Sequence, residues 1–443
     1  MLPNGRSWHF GLLSFTGTGH LNPLINLGRE LTKRGHRVTF FERPKIRERV
    51  EQAGLGFLPI CADGSLRALR PPESRAGLRA ELAMLRFNLQ RVKQEVERYL
   101  RETPAVLRCA GVHALIVNEI ALTGPTIAEL LRLPYFIVST SVPHNCGWSA
   151  YPWYSGYRLM RSPASILERA LLEVSAVRVG GPIRNALDRY RMSAGLGPIS
   201  TMQKSYPALA QITQLPRCLD FPEARLPENC HYTGPFVGGG GRPFLEFPWE
   251  RLDGRPIAYV SMGTTRNAQG QILRQVAEAC KGLDLQLVIS LGGRFTPEQF
   301  VELPGTPLVV PFAPQLELLR HARIVITHGG PNTVFEGLME GKPMVVIPLA
   351  HDQPAIAARV ARAGAARVLP VMRLSTRRIR AAVMAVLADP AYHLAALALQ
   401  KQIRATRGAE KAAEIVEEAL RQHTDPRKRS TPHSSVAQVK SSA

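Results

Sequence analysis

The sequence of 443 residues is poor in cysteine and contains no long apolar run. Its six cysteines form no C-x-x-C pair and have no metal-ligand spacing, which gives no indication of a disulfide framework or a zinc site. No apolar stretch is long enough to span a bilayer, and the run from Trp8 to Phe15 is too short for a signal peptide. We therefore expect a cytoplasmic protein with reduced thiols.

Acidic residues are also scarce: the sequence has 35 Asp and Glu but 56 Lys and Arg. Its formal net charge is therefore +21. The arginines are dispersed among apolar positions, without a nucleic-acid recognition motif or interleaved aromatics, so nucleic acid is not an expected partner. Attraction to anionic lipid headgroups explains the surplus better and predicts peripheral contact with the inner face of a membrane.

The length predicts two domains, since it exceeds what one hydrophobic core usually takes. Strand and helix patterns alternate in both halves, which favours an α/β fold with parallel sheets. The segment from Gly234 to Pro256 is rich in glycine and proline and is the predicted linker. It separates residues 1–233 from residues 257–422, and the polar residues 423–443 are predicted to form a disordered tail.

The stretch from Thr327 to Gln353 carries the strongest functional pattern. A buried strand, Ala322–Thr327, is predicted to stop at His328-Gly329-Gly330, and Pro331 then favours the first position of a helix. The free N–H groups and positive dipole end of such a helix attract anions, and the glycines let an anion approach the backbone. This pattern predicts a phosphate site.

Side chains beyond this helix start suit the rest of a phosphorylated ligand. Glu336 lies three residues beyond Thr333 on the same helical face, within reach of a ribose diol. Asp352 and Gln353 follow the predicted strand Pro343–Leu349, at the carboxyl edge where parallel sheets bind ligands. A carboxylate beside an amide there suits sugar hydroxyls.

The first half begins with a predicted strand, Arg6–Phe15, a glycine turn and a helix from about Pro23 to Lys33. The turn lacks the G-x-G-x-x-G pattern, which disfavours a dehydrogenase. His20 follows the turn at the helix start, where the positive dipole end disfavours the protonated ring and leaves it able to accept a proton. His20 is therefore the candidate general base, with a capping or core histidine as the alternative.

These motifs together resemble the UDP-glycosyltransferases of GT-B fold, and within them the bacterial zeaxanthin glucosyltransferases and the macrolide glycosyltransferases. The resemblance is carried by a set of short motifs: Phe312-Ala313-Pro314-Gln315, His328-Gly329-Gly330, Asn332-Thr333, Glu336 and Asp352-Gln353. It implies two Rossmann-like parallel-sheet domains facing a central cleft, the first binding the acceptor and the second the nucleotide sugar. It also implies that the last helix returns to the first domain.

The resemblance assigns roles to the motif residues of the second domain. It implies that Phe312 stacks on uracil and that Gln315 and Glu336 hold the nucleoside. The residues implied to hold the diphosphate are His328, Gly330, Asn332 and Thr333, and those implied to hold the sugar are Asp352 and Gln353.

In the first domain, His20 matches the family's catalytic histidine, but the family's aspartate partner is replaced by Asn118. An amide oxygen can orient the ring, yet it cannot stabilise the protonated ring as a carboxylate does. A slower dyad, rescue by the adjacent Glu119 and a more acidic acceptor all remain open.

Departure of UDP needs a divalent metal or a fixed positive field. The sequence has no Asp-x-Asp pair, so the helix start after Gly330, His328 and the hydroxyls of Thr333 and Thr264 are predicted to supply the field. The expected reaction is an inverting, metal-independent transfer of a sugar, in the simplest case glucose, from a UDP-sugar without a further cofactor.

The aromatic segment from Ser141 to Pro163 is predicted to line an apolar acceptor pocket, although lid packing explains it equally well. A small lipophilic acceptor is therefore expected, and the resemblance favours a carotenoid over a macrolide, phenolic or sterol hydroxyl. Two other classes remain open: a UDP-sugar epimerase, and a sugar-nucleotide-binding module without turnover.

Overall fold

The computed structural model describes residues 7–14, 16–61, 78–143, 180–199, 208–238, 240, 242–263, 269–293 and 295–425. Thr264, most of the aromatic segment Ser141–Pro163 and the residues after Asp425 lie outside this part, and the predictions made for them stay predictions. The described strands form two parallel sheets of seven and six strands.

The first sheet lies in the N-terminal half of the chain. Its strands are His9–Leu13 (β1), Arg37–Glu42 (β2), Gly56–Pro59 (β3), Ala114–Asn118 (β4), Tyr135–Ser139 (β5), Ala210–Thr213 (β6) and Cys230–Tyr232 (β7). They follow the order β3-β2-β1-β4-β5-β6-β7, and all neighbours pair in parallel. β1, β4 and β5 are buried along their whole length, which explains their continuous apolar sequences.

The second sheet is built in the same way. Its strands are Ile257–Ser261 (β8), Gln286–Ser290 (β9), Leu308–Val310 (β10), Ala322–Thr327 (β11), Met344–Val346 (β12) and Ala366–Val368 (β13). They follow the order β10-β9-β8-β11-β12-β13, again with parallel neighbours. The two sheets confirm the predicted α/β class with two Rossmann-like halves.

Helices cover both faces of each sheet. They are Thr18–Lys33 (α1), Arg47–Gln52 (α2), Leu78–Ala110 (α3), Gly124–Leu131 (α4), residues 180–193 (α5), Gln269–Cys280 (α6), Gln315–His321 (α7), Pro331–Met339 (α8), Gln353–Arg362 (α9), Thr376–Ala388 (α10), Pro390–Arg404 (α11) and Gly408–Thr424 (α12). Taken one at a time, none of the described helices combines the length and apolar character that crossing a membrane requires, although α10 with the bent continuation Pro390–Thr424 does so as a pair.

Helix α1 begins earlier than the sequence predicts, at Thr18 instead of about Pro23. The backbone N–H groups of His20 and Leu21 both donate to the Gly17 carbonyl, which closes the first turn. Pro23 therefore lies inside the helix, where it has no N–H to donate to the carbonyl of Gly19 four residues before it. That carbonyl is left available for a partner outside the helix.

The helical stretch at the C-terminal end is split into α11 and α12. Arg407 adopts a left-handed conformation with φ of 59°, and the chain turns there before Gly408 starts the last helix. α12 packs on the first sheet beside α1, because its apolar face contributes Ala413, Val416 and Leu420 to that core. The last helix thus lies against the first sheet although it follows the second in sequence.

Candidate active site between the two sheets

The predicted site residues gather at the carboxyl ends of the strands in both sheets. In the first sheet β1 leads into α1, which carries His20 in its first turn. In the second sheet β11 leads through His328 into α8, whose N-cap is Gly330 and whose first residue is Pro331. Parallel sheets place such turns at one edge, so each sheet presents the positive end of a helix there.

These two helix starts contact each other directly. Asn332 Nδ2 donates to the Gly19 carbonyl at 3.0 Å, which is the carbonyl that Pro23 leaves without a helical partner. Gln214 Nε2, from the residue after β6, donates to Asn332 Oδ1 at 3.0 Å. The Asn332 side chain, implied by the resemblance to bind diphosphate, therefore also joins the two halves of the cleft.

His328 is packed between two glycines of the second sheet. A Cβ atom at either Gly263 or Gly330 would lie 2.6 Å from His328 Nε2, so only glycine fits at these positions. The ring Nδ1 lies 3.3 Å from Thr327 Oγ1 and 3.4 Å from the Ser261 carbonyl. Burial lowers the pKa of His328 to about 4, so the ring is neutral at pH 7. Positive charge at this site comes from the α8 N-terminus and not from an imidazolium.

We expect His328 to make the fold sensitive to acid. Its pKa is about 4 in the folded protein and about 6.5 in the unfolded chain, so the unfolded chain binds the proton first as pH falls. The free energy of unfolding should drop between these pH values, by up to about 2 kcal/mol at pH 5 from this residue. Urea unfolding at pH 7 and pH 5 measures the drop.

The matched variant for this prediction is His328→Gln, which does not titrate in this range. Burial also lowers the pKa values of His9, His36 and His231. These three residues are present in both the wild type and His328→Gln. The difference between the two pH-dependent losses therefore isolates His328. Equal losses in wild type and variant would contradict the prediction.

Glu336 is the centre of a hydrogen-bonded group in the second domain. It is 3% exposed, and its Oε2 accepts a hydrogen bond from Gln315 Nε2 at 2.7 Å. Gln315 Oε1 in turn accepts from the Tyr259 hydroxyl at 3.0 Å and from the Thr333 hydroxyl at 3.4 Å. The structure thus brings together three residues that the sequence predicted for the nucleoside and diphosphate.

Arg242 is a residue of this group that sequence reasoning missed. It lies in the predicted linker, and its guanidinium forms an ion pair with Glu336. Both residues line one small pocket with Asn22, Gln214 and Asn332. Any ribose hydroxyl that binds Glu336 must share the carboxylate with Arg242. A glycine-rich linker gave no signal for such a role.

Phe312 lies at the carboxyl end of β10 and is 48% exposed. One edge of its ring packs on Gly293, where a Cβ atom would lie 2.2 Å from Phe312 Cζ. An exposed aromatic ring resting on a glycine turn is suited to stacking with a planar base. The placement is compatible with the predicted contact with uracil.

Asp352 and Gln353 lie at the start of α9. Gln353 Oε1 accepts from the backbone N–H groups of Leu349 at 2.8 Å and Ala350 at 3.0 Å, which fixes the turn before the helix. Within the described residues its Nε2 has no partner and is free to donate to a ligand. Asp352 lies close enough to His328 to oppose the fall in its pKa.

The structure shows no hydrogen bond between Asn118 and His20, so it lends no support to their dyad, which is one of the three alternatives that the sequence leaves open. Asn118 Oδ1 accepts a hydrogen bond from the backbone N–H of Ile120 at 3.1 Å, and its Nδ2 is buried without a partner in the described part of the chain. His20 contacts Thr140, whose Oγ1 lies 2.7 Å from His20 Nδ1. Asn118 Oδ1 is thus engaged by its own turn, and the side chain makes no hydrogen bond with the imidazole.

Glu119 is half-buried at the end of β4. Burial, and after it the Glu119 carboxylate, raise the pKa of the Cys230 thiol on β7 to about 12. The backbone N–H of Glu119 donates to the Val138 carbonyl at 2.9 Å and so continues the pairing of β4 with β5. Whether Glu119 assists His20 stays a prediction.

Two further residues, Thr140 and Gln214, complete the site and were not found from the sequence. Each directly follows a strand of the first sheet, β5 and β6, at the same edge as His20. A position at or just after the end of a strand was the available signal, and it identified Asn118, the last residue of β4. It failed for Gln214 because β6 has only four residues and was not recognised as a strand.

Comparisons with known proteins identify the family of this chain. Residues 199–426 match the family model described as UDP-glucoronosyl and UDP-glucosyl transferase, and residues 12–144 match the glycosyltransferase family 28 N-terminal domain. The zeaxanthin glucosyltransferase of Pantoea ananas is 27% identical over 93% of this chain and 96% of that protein. The O-mycaminosyltylonolide 6-deoxyallosyltransferase of Streptomyces fradiae is 30% identical over 92% of this chain and 96% of that protein.

A solved structure shows the same fold. The calicheamicin glycosyltransferase CalG4 superposes on this chain with a TM-score of 0.73 at 22% identity. The match covers 95% of this chain and 100% of that chain. The two facing Rossmann-like sheets are therefore those of the GT-B glycosyltransferases. The family model covers more than half of the chain, and so this chain belongs to the UDP-glucoronosyl and UDP-glucosyl transferase family and is a glycosyltransferase.

Proposed function

We propose that this glycosyltransferase moves a sugar, in the simplest case glucose, from a UDP-sugar to a hydroxyl of a lipophilic acceptor, with inversion and without a metal ion. The observation that supports this best is the contact between the two helix starts through Asn332 and Gly19. It places a histidine of the first sheet opposite the α8 N-terminus of the second. A base and an anion site across one cleft suit a single displacement.

His20 takes the proton from the acceptor hydroxyl as its oxygen attacks the anomeric carbon of the donor sugar. The bond between that carbon and the diphosphate oxygen breaks in the same step, and UDP leaves with the electron pair. Attack from the side opposite the leaving group inverts the anomeric centre. The free N–H groups of α8, with the Thr333 hydroxyl, stabilise the negative charge on UDP.

The donor is held by the remaining predicted residues. Phe312 stacks on the base, Gln315 and Glu336 bind the nucleoside, and Asp352 with the free Nε2 of Gln353 binds the sugar hydroxyls. Support comes from the hydrogen bonds among Gln315, Thr333 and Glu336, which fix these side chains relative to one another before a ligand arrives. Such preorganisation lowers the entropic cost of binding.

The proposed acceptor is a lipophilic natural product, and a carotenoid is the first candidate. Support comes from two relatives whose names state a lipophilic acceptor. They are a zeaxanthin glucosyltransferase and an O-mycaminosyltylonolide 6-deoxyallosyltransferase. Contact with an anionic membrane surface stays a prediction, based on the net charge of +21.

The test is a screen of UDP-sugars and dTDP-sugars against carotenoid, macrolide, phenolic and sterol acceptors, with products identified by mass spectrometry and EDTA present throughout. Transfer in EDTA supports the proposal. Transfer that needs an added divalent ion contradicts the metal-independent part, and isomerised sugar formed from the donor alone indicates an epimerase. UDP binding without any product indicates a binding module.

A further inference from the structure

The residue that orients the candidate base is not the one at the family's aspartate position. His20 Nδ1 lies 2.7 Å from Thr140 Oγ1, whereas the Asn118 amide oxygen is engaged by the Ile120 N–H. A hydroxyl at 2.7 Å from a ring nitrogen is within the usual range for a hydrogen bond. The geometry therefore offers a different partner for the imidazole, on the next strand of the sheet.

Thr140 is held firmly enough to fix the ring. It is 4% exposed and directly follows β5. Its carbonyl accepts a hydrogen bond from Gln214 Nε2, and Gln214 is itself 1% exposed. Gln214 Oε1 accepts from the Phe236 N–H at 3.3 Å, so this amide is held at both ends. The Thr140 hydroxyl is therefore presented to His20 by buried, hydrogen-bonded backbone.

We propose that Thr140 is the positioning residue of His20, an inference that rests on the proposed function. The ring N–H at Nδ1 donates to the Thr140 hydroxyl, so that Nε2 is the unprotonated nitrogen that takes the acceptor proton. A hydroxyl selects this tautomer and ring orientation as a carboxylate does, but it does not balance the charge of the protonated ring. Thr140 acts through His20 and does not contact the reacting atoms.

The decisive variant is Thr140→Val, which removes the hydroxyl and keeps the shape of the side chain. We expect kcat for sugar transfer to fall at least about tenfold, because the ring loses its selected tautomer, while KM for the donor changes less than about twofold. Thr140→Ser restores the hydroxyl and should recover most of kcat. A general loss of structure would not be repaired by serine alone.

Thr103→Val is the matched control. Thr103 is 0% exposed on α3, and its hydroxyl has no hydrogen-bond partner within the described residues. The same chemical change there should leave kcat at the wild-type value. The proposal is overturned if Thr140→Val keeps the wild-type kcat. It is also overturned if adding Asn118→Asp raises kcat by the same factor in the Thr140→Val variant as in the wild-type protein.

A second measurement does not depend on catalysis. In protein labelled with ¹⁵N-histidine, the His20 signal is identified by its loss in His20→Gln, and its chemical shifts report which ring nitrogen carries the proton. The expected result is Nδ1–H in wild type and loss of that tautomer in Thr140→Val. A wild-type ring protonated at Nε2 overturns the inference, even if transfer is observed. If no donor and acceptor pair reacts, the proposed function fails while the tautomer still decides the Thr140 contact.

Discussion

Replacing His20 by alanine should lower kcat for sugar transfer by about 10³-fold, with little change in the affinity for UDP. The change removes the group that takes the acceptor proton, and a positioned base contributes about 10²- to 10⁴-fold. His20 lies on α1 in the N-terminal half, whereas the predicted UDP contacts lie in the C-terminal half. Steady-state kinetics with the reactive pair from the screen, together with UDP titration by calorimetry, measures both quantities.

The control for this prediction is His423→Ala, which changes an exposed histidine in the last turn of α12. It should transfer sugar at the wild-type rate. If His20→Ala keeps more than about a tenth of the wild-type kcat, the base lies elsewhere and the assignment of His20 is wrong. A loss of UDP affinity equal to the loss of kcat would also contradict it.

Replacing Arg359 by methionine should lower the free energy of unfolding by about 3 kcal/mol or more. Arg359 Nε donates to Asp220 Oδ1 at 2.9 Å, and the two side chains are only 1% and 3% exposed. The change leaves a buried carboxylate with the Phe221 N–H and the Tyr232 hydroxyl as its remaining donors. It also removes the contact of the guanidinium with the Phe221 ring. Urea unfolding at pH 7 measures the loss.

An exposed ion pair provides the matched control. Arg255 and Asp253 form a close pair, but both side chains are about two-fifths exposed, at 39% and 40%. Arg255→Met should therefore leave the free energy of unfolding nearly unchanged. In Asp220→Asn/Arg359→Met the uncompensated charge is absent, and part of the stability should return. Losses of similar size for Arg359→Met and Arg255→Met would contradict the argument.

The ion pair matters for the site because it fixes a segment shared by both halves. The segment after β6 precedes the predicted linker, yet its Leu215 and Leu219 pack into the core of the second sheet. Asp220 ties the end of this segment to α9, whose first residue is Gln353. Gln214 at its beginning contacts Asn332 and the Thr140 carbonyl. One short segment thus connects the predicted sugar, diphosphate and base residues.

One strand, Ala322–Thr327, could be predicted to the residue. Apart from the exposed Arg323 it is a buried, mainly apolar run that ends at the turn His328-Gly329-Gly330, and burial of its other residues leaves little choice of residue type. Strands of three or four residues, such as β7 and β10, were missed because so short a run carries no periodicity and is defined by its neighbours.

The sequence by itself determined the α/β class and the strand, glycine turn and helix start that form the proposed anion site at α8. Its residues are consecutive or one helical turn apart, so local backbone geometry alone brings them together. Only the tertiary structure decided that Thr140 and not Asn118 meets His20 and that Arg242 pairs with Glu336. These contacts join residues far apart in the chain, and strand order and side-chain packing, which no local pattern encodes, decide which of them meet.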